Sequence, residues 1–346
     1  MKHHALYISA IIMALTHTNV FSQELSVHTN TIIGQNIKTV THNINNNIFN
    51  TISQPRFYRP NPQQKTPVDM YGSMPIYGEY NNTISGHNGG DTTNNAQNWI
   101  FWQNTNNKTS FNNSTTIDNQ SNTLIAGFAG ATTKINNIEN TFGLYTGYTG
   151  GAQENKYIDI DEHGGIFGIF NSTNINNTNI IATINAGIMD SDTKSINGTD
   201  KTTNTWIDGA AKITHNIFLN NNTILRPGLY TEYLWIKSDN YTSCSGAIIN
   251  NENLHKFEIT PELSLITHIT DNWTTSINAK YIIHLDNSSS TTVDTIKIKQ
   301  LDTGNYFEYG LSITKSIQNF NFGAYINRQD GETYGWSGGL NFKYTF

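Results

Sequence analysis

The chain has 346 residues with 26 acidic and 20 basic side chains, a net charge of −6 and no run of basic residues, which excludes the electrostatic footprint of a nucleic-acid-binding protein. An apolar content of 36% with a negative mean hydropathy excludes a bundle of transmembrane helices, and the single cysteine, Cys244, excludes an internal disulfide framework. The length accommodates two soluble domains or one large β-barrel; in a membrane barrel only alternate residues meet lipid, so a modest apolar content is expected. Asparagine fills about one position in seven, far above ordinary usage, so an Asn-rich run by itself carries little functional meaning.

Residues 1–22 read as a secretory signal peptide. Lys2 precedes an apolar run over 5–15 that is too short to span a membrane, and the small residue Ser22 marks the expected cleavage point. In the next segment, 23–54, Ile33, Ile37, Val40, Ile44, Ile48 and Ile52 recur at intervals of three and four. That is one stripe of an amphipathic helix, with Lys38 and His42 on its other faces. A helix over 31–54 would be about 36 Å long, enough to thread the height of a membrane barrel. Its asparagines lower intrinsic propensity, so such a helix needs packing to persist. Pro55 stops it, and 55–98, rich in proline and glycine, reads as an irregular linker.

From residue 99 onward, twelve segments alternate apolar and polar residues: 99–103, 122–132, 141–151, 163–171, 178–190, 204–215, 223–237, 254–269, 273–285, 305–316, 320–328 and 334–346. Their links alternate as well. Long polar links are expected over 104–121, 238–253 and 286–304, and also after the third and fifth segments, whereas 172–177, 216–222, 270–272 and 317–319 are short. Long loops on one side and tight turns on the other are the signature of a bacterial outer-membrane barrel, which closes with an even number of strands. The expected fold is therefore all-β, a twelve-stranded antiparallel transmembrane barrel over 99–346, preceded by an amphipathic helix that lies in the lumen.

The period also assigns facing. Phe307, Tyr309, Leu311 and Ile313 turn to lipid while Glu308, Gly310, Ser312 and Thr314 turn inward. By the same alternation Arg226, Glu232, Glu258, Glu262 and Lys280 point into the lumen, and Lys38 of the helix is expected within reach of Glu258 or Glu262. Buried charges need partners. A polar lumen offers the isoleucine stripe little to bury against, so it needs inward aromatics such as Tyr230 or Tyr325. The last segment alternates most cleanly, with Tyr334, Trp336, Leu340, Phe342, Tyr344 and Phe346 on one face and Gly335, Ser337, Gly339, Asn341, Lys343 and Thr345 on the other.

Candidate chemistry is thin. Residues 335–339 match a Gly-x-Ser-x-Gly elbow, but that motif needs a strand, a turn and a helix, and Ser337 lies inside the final strand. Asp159, Asp161, Glu162 and His163 could supply oxygen-rich ligands to a cation, or simply form a solvated rim. His163, His215, His255, His268 and His284 show no spacing that singles one out. No catalytic residue, resident metal or cofactor is expected, and Cys244 reads as an idle thiol in an outer loop.

The signal peptide, helix, linker and twelve-segment barrel ending on an aromatic resemble the translocator domain of autotransporters, the type V secretion family. Residues 99–102 look like that family's opening strand, 141–148 like its Gly- and aromatic-rich third strand, and 337–344 like the pattern read by the barrel-assembly machinery. The resemblance implies that Ser337, Gly339, Phe342, Tyr344 and Phe346 form the assembly signal, that the partners are outer-membrane lipid, the assembly machinery and periplasmic chaperones, and that the chain is a monomer. It further implies that the helix occupies the pore and that a passenger is carried to the cell surface. Here only a few residues separate 23 from the helix, so the passenger is expected to be minimal. Some family members cut themselves between adjacent asparagines of the lumenal helix, which makes Asn45, Asn46 and Asn47 candidate cleavage residues. A channel-like barrel without an export role and a hydrolase on the barrel rim remain open as alternatives.

Overall fold

The computed structural model describes residues 29, 32–52, 96–111, 115–130, 132–135, 138–155, 158–286, 290–299 and 304–346. The signal peptide expected over 1–22 and nearly all of the linker expected over 55–98 lie outside the described residues.

Twelve long strands form the wall: β1 Gln97–Phe111, β2 Thr115–Ala129, β3 Ile138–Glu154, β4 Asp159–Ile175, β5 Thr178–Ser195, β6 Gly198–His215, β7 Thr223–Ser238, β8 Leu254–Thr270, β9 Trp273–Asp286, β10 Tyr306–Ile317, β11 Phe320–Gly331 and β12 Thr333–Thr345. Each pairs antiparallel with its sequence neighbours, and β12 pairs with β1 from Gln97↔Thr345 to Thr109↔Thr333. The ring is closed, which removes every free edge of the wall. Helix α1, residues 32–52, runs inside it.

Strand lengths correct the expected loops. The segment 104–121 is not a loop: β1 and β2 stay paired as far as Phe111↔Thr115. Likewise β5 and β6 stay paired to Ser195↔Gly198. Both strands of that second hairpin have 18 residues, against the roughly 9 to 11 that a tilted strand needs to cross a bilayer. The surplus is polar on both faces because it stands in water, where no hydrophobic period is required, and so it was invisible to an apolar pattern. Two short strands also occupy links at the opposite end, Thr133–Ile135 on β3 and Ile217–Asn220 on β7.

The remaining long links fold together. Tyr241–Thr242 and Ile248–Asn251, between β7 and β8, join Ser290–Val293 and Ile296–Lys299, between β9 and β10, in a four-stranded sheet. Ile249 and Val293 form its small core with Tyr241 and Ala247 against them. Lys297 lies 2.6 Å from Glu252 and, with the Ser290 hydroxyl, holds that carboxyl below its usual range. At the other end the turns are tight, and Asn176 (φ 53°) and Gln318 (φ 50°) take the left-handed conformation such hairpins require.

Outside, the wall carries an apolar band: Ile184, Phe167, Ile277, Phe307, Leu311 and Leu340 are each at least half exposed. Phe320, Phe322, Phe342, Tyr344 and Phe346 cluster at the tight-turn end, with ring centroids 4.8 to 5.6 Å apart between the first and its two β12 neighbours. Aromatic girdles of this kind mark the membrane interface. Among the described residues no helix is long and apolar enough to cross a membrane; strands do the crossing here.

Candidate functional site

Among the described residues, the lumen is where elements distant in sequence converge on a single partner. Twelve strands about 4.8 Å apart, tilted by about 40°, give a backbone ring about 24 Å across. After side chains fill both sides, the remaining space suits one helix about 10–12 Å wide. Helix α1 occupies it.

Its isoleucine stripe decides how it sits. Ile33, Ile37, Val40, Ile44 and Ile48 are at most 1% exposed and pack with Trp99, Phe101, Tyr145, Phe170, Trp206 and Leu234 of the wall. The lumen is thus not uniformly polar: β1, β3, β4, β6 and β7 each supply buried apolar side chains to it. Each fully buried aliphatic side chain contributes roughly 1.5–3 kcal/mol, so the stripe helps to hold the helix in the lumen. The wall stays thin because three inward aromatics lie flat over glycines of the neighbouring strand. Trp99 is registered with Gly127, Trp206 with Gly187 and Tyr145 with Gly168. A Cβ at Gly127 or Gly187 would come within 2.0 Å of the indole.

The opposite face of α1 is polar. Lys38 Nζ lies 3.2 Å from Glu258 Oε2 and also meets the ring of His284. His42 Nδ1 lies 2.9 Å from Glu258 Oε1 and 3.7 Å from Glu232 Oε2. One turn on, the Asn45 amide donates to Asp208 Oδ2 at 2.7 Å and to Glu232 Oε1 at 3.3 Å. Asn46 meets His42 Nε2 at 2.7 Å, and Asn47 meets Gln103 and donates to the Tyr325 hydroxyl at 3.0 Å. Of the three adjacent asparagines, Asn45 is the one held by carboxylates.

The helix has a fixed direction. Asn36 meets Glu162 near the long-hairpin end of β4, and Lys256, near the corresponding end of β8, donates to Gln35 Oε1 at 3.0 Å. Residues 43 and 47 contact Thr105 and Gln103, toward the end where β1 begins. The N-terminus of α1 therefore faces the long-hairpin end and its C-terminus the tight-turn end.

The inward charges read from the sequence all face the lumen and are at most 8% exposed. They do not form one network. Glu232 and Glu258 face the helix, whereas Glu262 pairs with Lys212 at 2.7 Å, Lys280 with Glu308 at 2.9 Å, and the Arg226 Nε donates to Asn216 at 2.8 Å. Lys38 reaches Glu258. Sequence reasoning passed over Asp208 and Lys212, although both fall on the inward register of β6 beside Trp206 and Ala210, and over the central place of His42, four residues after Lys38 on the face opposite the isoleucines. Ser337 is buried in mid-strand, paired with Thr105 and Asn327, where no nucleophile elbow can form. The acidic group on β4 is split, with Glu162 buried inward and Asp159, Asp161 and His163 exposed on the other face. On β12, Ser337 and Gly339 face the lumen while Phe342, Tyr344 and Phe346 stand in the outer girdle.

Residues 99–327, more than half of the chain, match the family described as the autotransporter beta-domain. Three solved structures are similar in fold. The transport unit of the autotransporter AIDA-I from Escherichia coli aligns with a TM-score of 0.62 at 15% identity, over 72% of this chain and 90% of that one. The translocator domain of NalP from Neisseria meningitidis gives 0.61 at 14% identity, over 72% and 88%. The beta domain of the Bordetella autotransporter BrkA gives 0.60 at 12% identity, over 72% and 99%. No curated protein matches it in sequence.

Proposed function

Because the chain belongs to the autotransporter beta-domain family, and is therefore a translocator barrel of the bacterial outer membrane, we propose that it anchors and presents at the cell surface a short segment lying N-terminal to α1. The observation that carries this reading is the direction of the helix: its N-terminus faces the long-hairpin end, the outer side of such barrels, while its C-terminus shares the opposite end with the start of β1. A chain threaded this way has its N-terminal end outside. The reading gives the barrel no enzymatic turnover of its own. An epitope inserted after Gln23 is expected to bind antibody on intact cells and to be removed by added protease; an epitope reached only after the outer membrane is permeabilised would contradict it.

Asn45 supports a second reading, in which the helix cuts itself once and releases what lies before it. Its side-chain amide contacts Asp208 and Glu232, placed to take a proton from the nitrogen. Attack of that nitrogen on the carbonyl carbon of Asn45 would close a succinimide, break the bond to Asn46 and leave the Asn46 nitrogen as a protonated amine. The mass of the purified barrel decides: a product starting at Asn46, lost in Asn45→Asp and slowed at least about tenfold in Asp208→Asn, supports cleavage. An intact N-terminus in the folded wild type would contradict it.

The terminal strand fits the proposed assembly signal, with its lumen face of small residues and its outer aromatics, and the assembly machinery and chaperones are the proposed partners. A closed ring without a free wall edge fits a monomer.

A further inference from the structure

The geometry points to a divalent transition-metal site, of the Zn2+ type, formed by His42 of α1, Glu232 of β7 and Glu258 of β8, which ties the helix to the wall. The ligand atoms of these three residues lie within 4.8 Å of one another, and all three side chains are at most 2% exposed. They come from three separate elements. An ion held by all of them would be a staple across the lumen.

Two features independent of that clustering favour an ion. The first is unmet bonding capacity. Glu232 Oε2, Asp208 Oδ1 and the Tyr230 hydroxyl are buried and complete no hydrogen bond. His42 Nδ1 lies 3.7 Å from Glu232 Oε2, beyond hydrogen-bonding range. Meanwhile His42 Nε2 is engaged by the Asn46 side-chain amide at 2.7 Å. The Asn46 amide nitrogen is the atom that faces Nε2; turning that amide over, so that its oxygen accepts from Nε2–H, leaves the Nδ1 lone pair to a metal, the arrangement that metal-binding histidines adopt.

The second feature is charge. Asp208, Glu232 and Glu258 are three buried carboxylates facing two basic groups, Lys38 and His42; Lys280 is matched by Glu308 and Lys212 by Glu262. Even with His42 protonated, these five groups together carry one net negative charge in a space with little water. With His42 neutral and Lys38 charged, a divalent ion makes the group electroneutral. Lys38 then remains the ion-pair partner of Glu258 Oε2, and Oε1, which also accepts from Thr260 at 2.8 Å, turns from His42 to the ion. An imidazole ligand selects Zn2+ over Ca2+ or Mg2+, which take oxygen donors. The depth of the site requires the ion to enter before the helix seats, during folding.

The test uses the full chain in a Cys244→Ser background, folded in detergent with ZnCl2, washed with EDTA and assayed by inductively coupled plasma mass spectrometry. Folded protein is counted by its heat-modifiable migration. About one Zn2+ per folded barrel is expected, with three protein ligands and a water completing four-coordination, and with His163→Ala unchanged and His42→Ala and Glu232→Gln lower by about tenfold or more. A wild-type barrel that retains no zinc after the wash, or a His42→Ala barrel that retains as much as the wild type, would overturn the site. If His42→Ala does not fold, Co2+ in place of Zn2+ decides on the unsubstituted barrel: visible ligand-field bands of a four-coordinate nitrogen and oxygen site support it, and the pale spectrum of hexa-aquo Co2+ overturns it.

Discussion

At the scale of single residues, glycine and tryptophan set how much room the lumen has. Trp99 lies against the wall because Gly127, its registered neighbour on β2, has no side chain, and Trp206 lies against Gly187 in the same way. Were either indole to stand up, it would occupy the volume of α1. Gly127→Val is therefore expected to lift Trp99 into the helix and to cost about 1–3 kcal/mol as overpacking, read as a lower midpoint in denaturant unfolding. A midpoint equal to that of the wild type would mean that the indole has another place to go. These pairs also explain why the apolar part of the lumen was not legible. Inward charges such as Glu258 and Lys280 betray themselves by alternating with lipid-facing isoleucine and leucine, but an inward Trp99 beside an outward Trp102 gives no contrast for a hydrophobic period to detect. The missing contrast has a physical cause: on β1 both faces meet apolar surroundings, lipid outside and the isoleucine stripe inside.

At the scale of elements, the terminal strand joins sheet closure to membrane placement. One face of β12 packs against the lumen through Ser337 and Gly339, and its outer face adds Phe342, Tyr344 and Phe346 to the girdle begun by Phe320 and Phe322. It also closes the ring by pairing with β1, so its loss would open the barrel at both neighbours. Phe342→Ser with Tyr344→Ser is expected to lower the amount of heat-modifiable folded barrel in outer-membrane fractions several-fold and to raise periplasmic degradation; wild-type levels would contradict the role given to this strand. All twelve strands could be located from their apolar spans, because each must present hydrocarbon to lipid for some ten residues. Their polar extensions could not, since β5 and β6 continue to Ser195 and Gly198 through residues that meet water on both sides. The four-stranded sheet built from two separate loops was also illegible, because its small core is assembled from Ile249 and Val293, which are 44 positions apart in the chain.

At the scale of the whole molecule, the barrel and its helix each complete the other. The wall leaves space for about one helix, the helix supplies the apolar stripe that fills one half and the basic groups that face Glu258 and Glu232 in the other, and its asparagines bond the remaining polar lining. Such a sequence would form a poor helix alone; inside this lumen every face has a partner. The central claim is that α1 plugs the pore, and conductance across a planar bilayer tests it most directly. The full chain is expected to pass little current, whereas a variant lacking residues 23–54, counted by single insertion events so that only folded barrels contribute, is expected to open a steady pore with a several-fold larger conductance. Equal conductance from the two proteins would contradict the account.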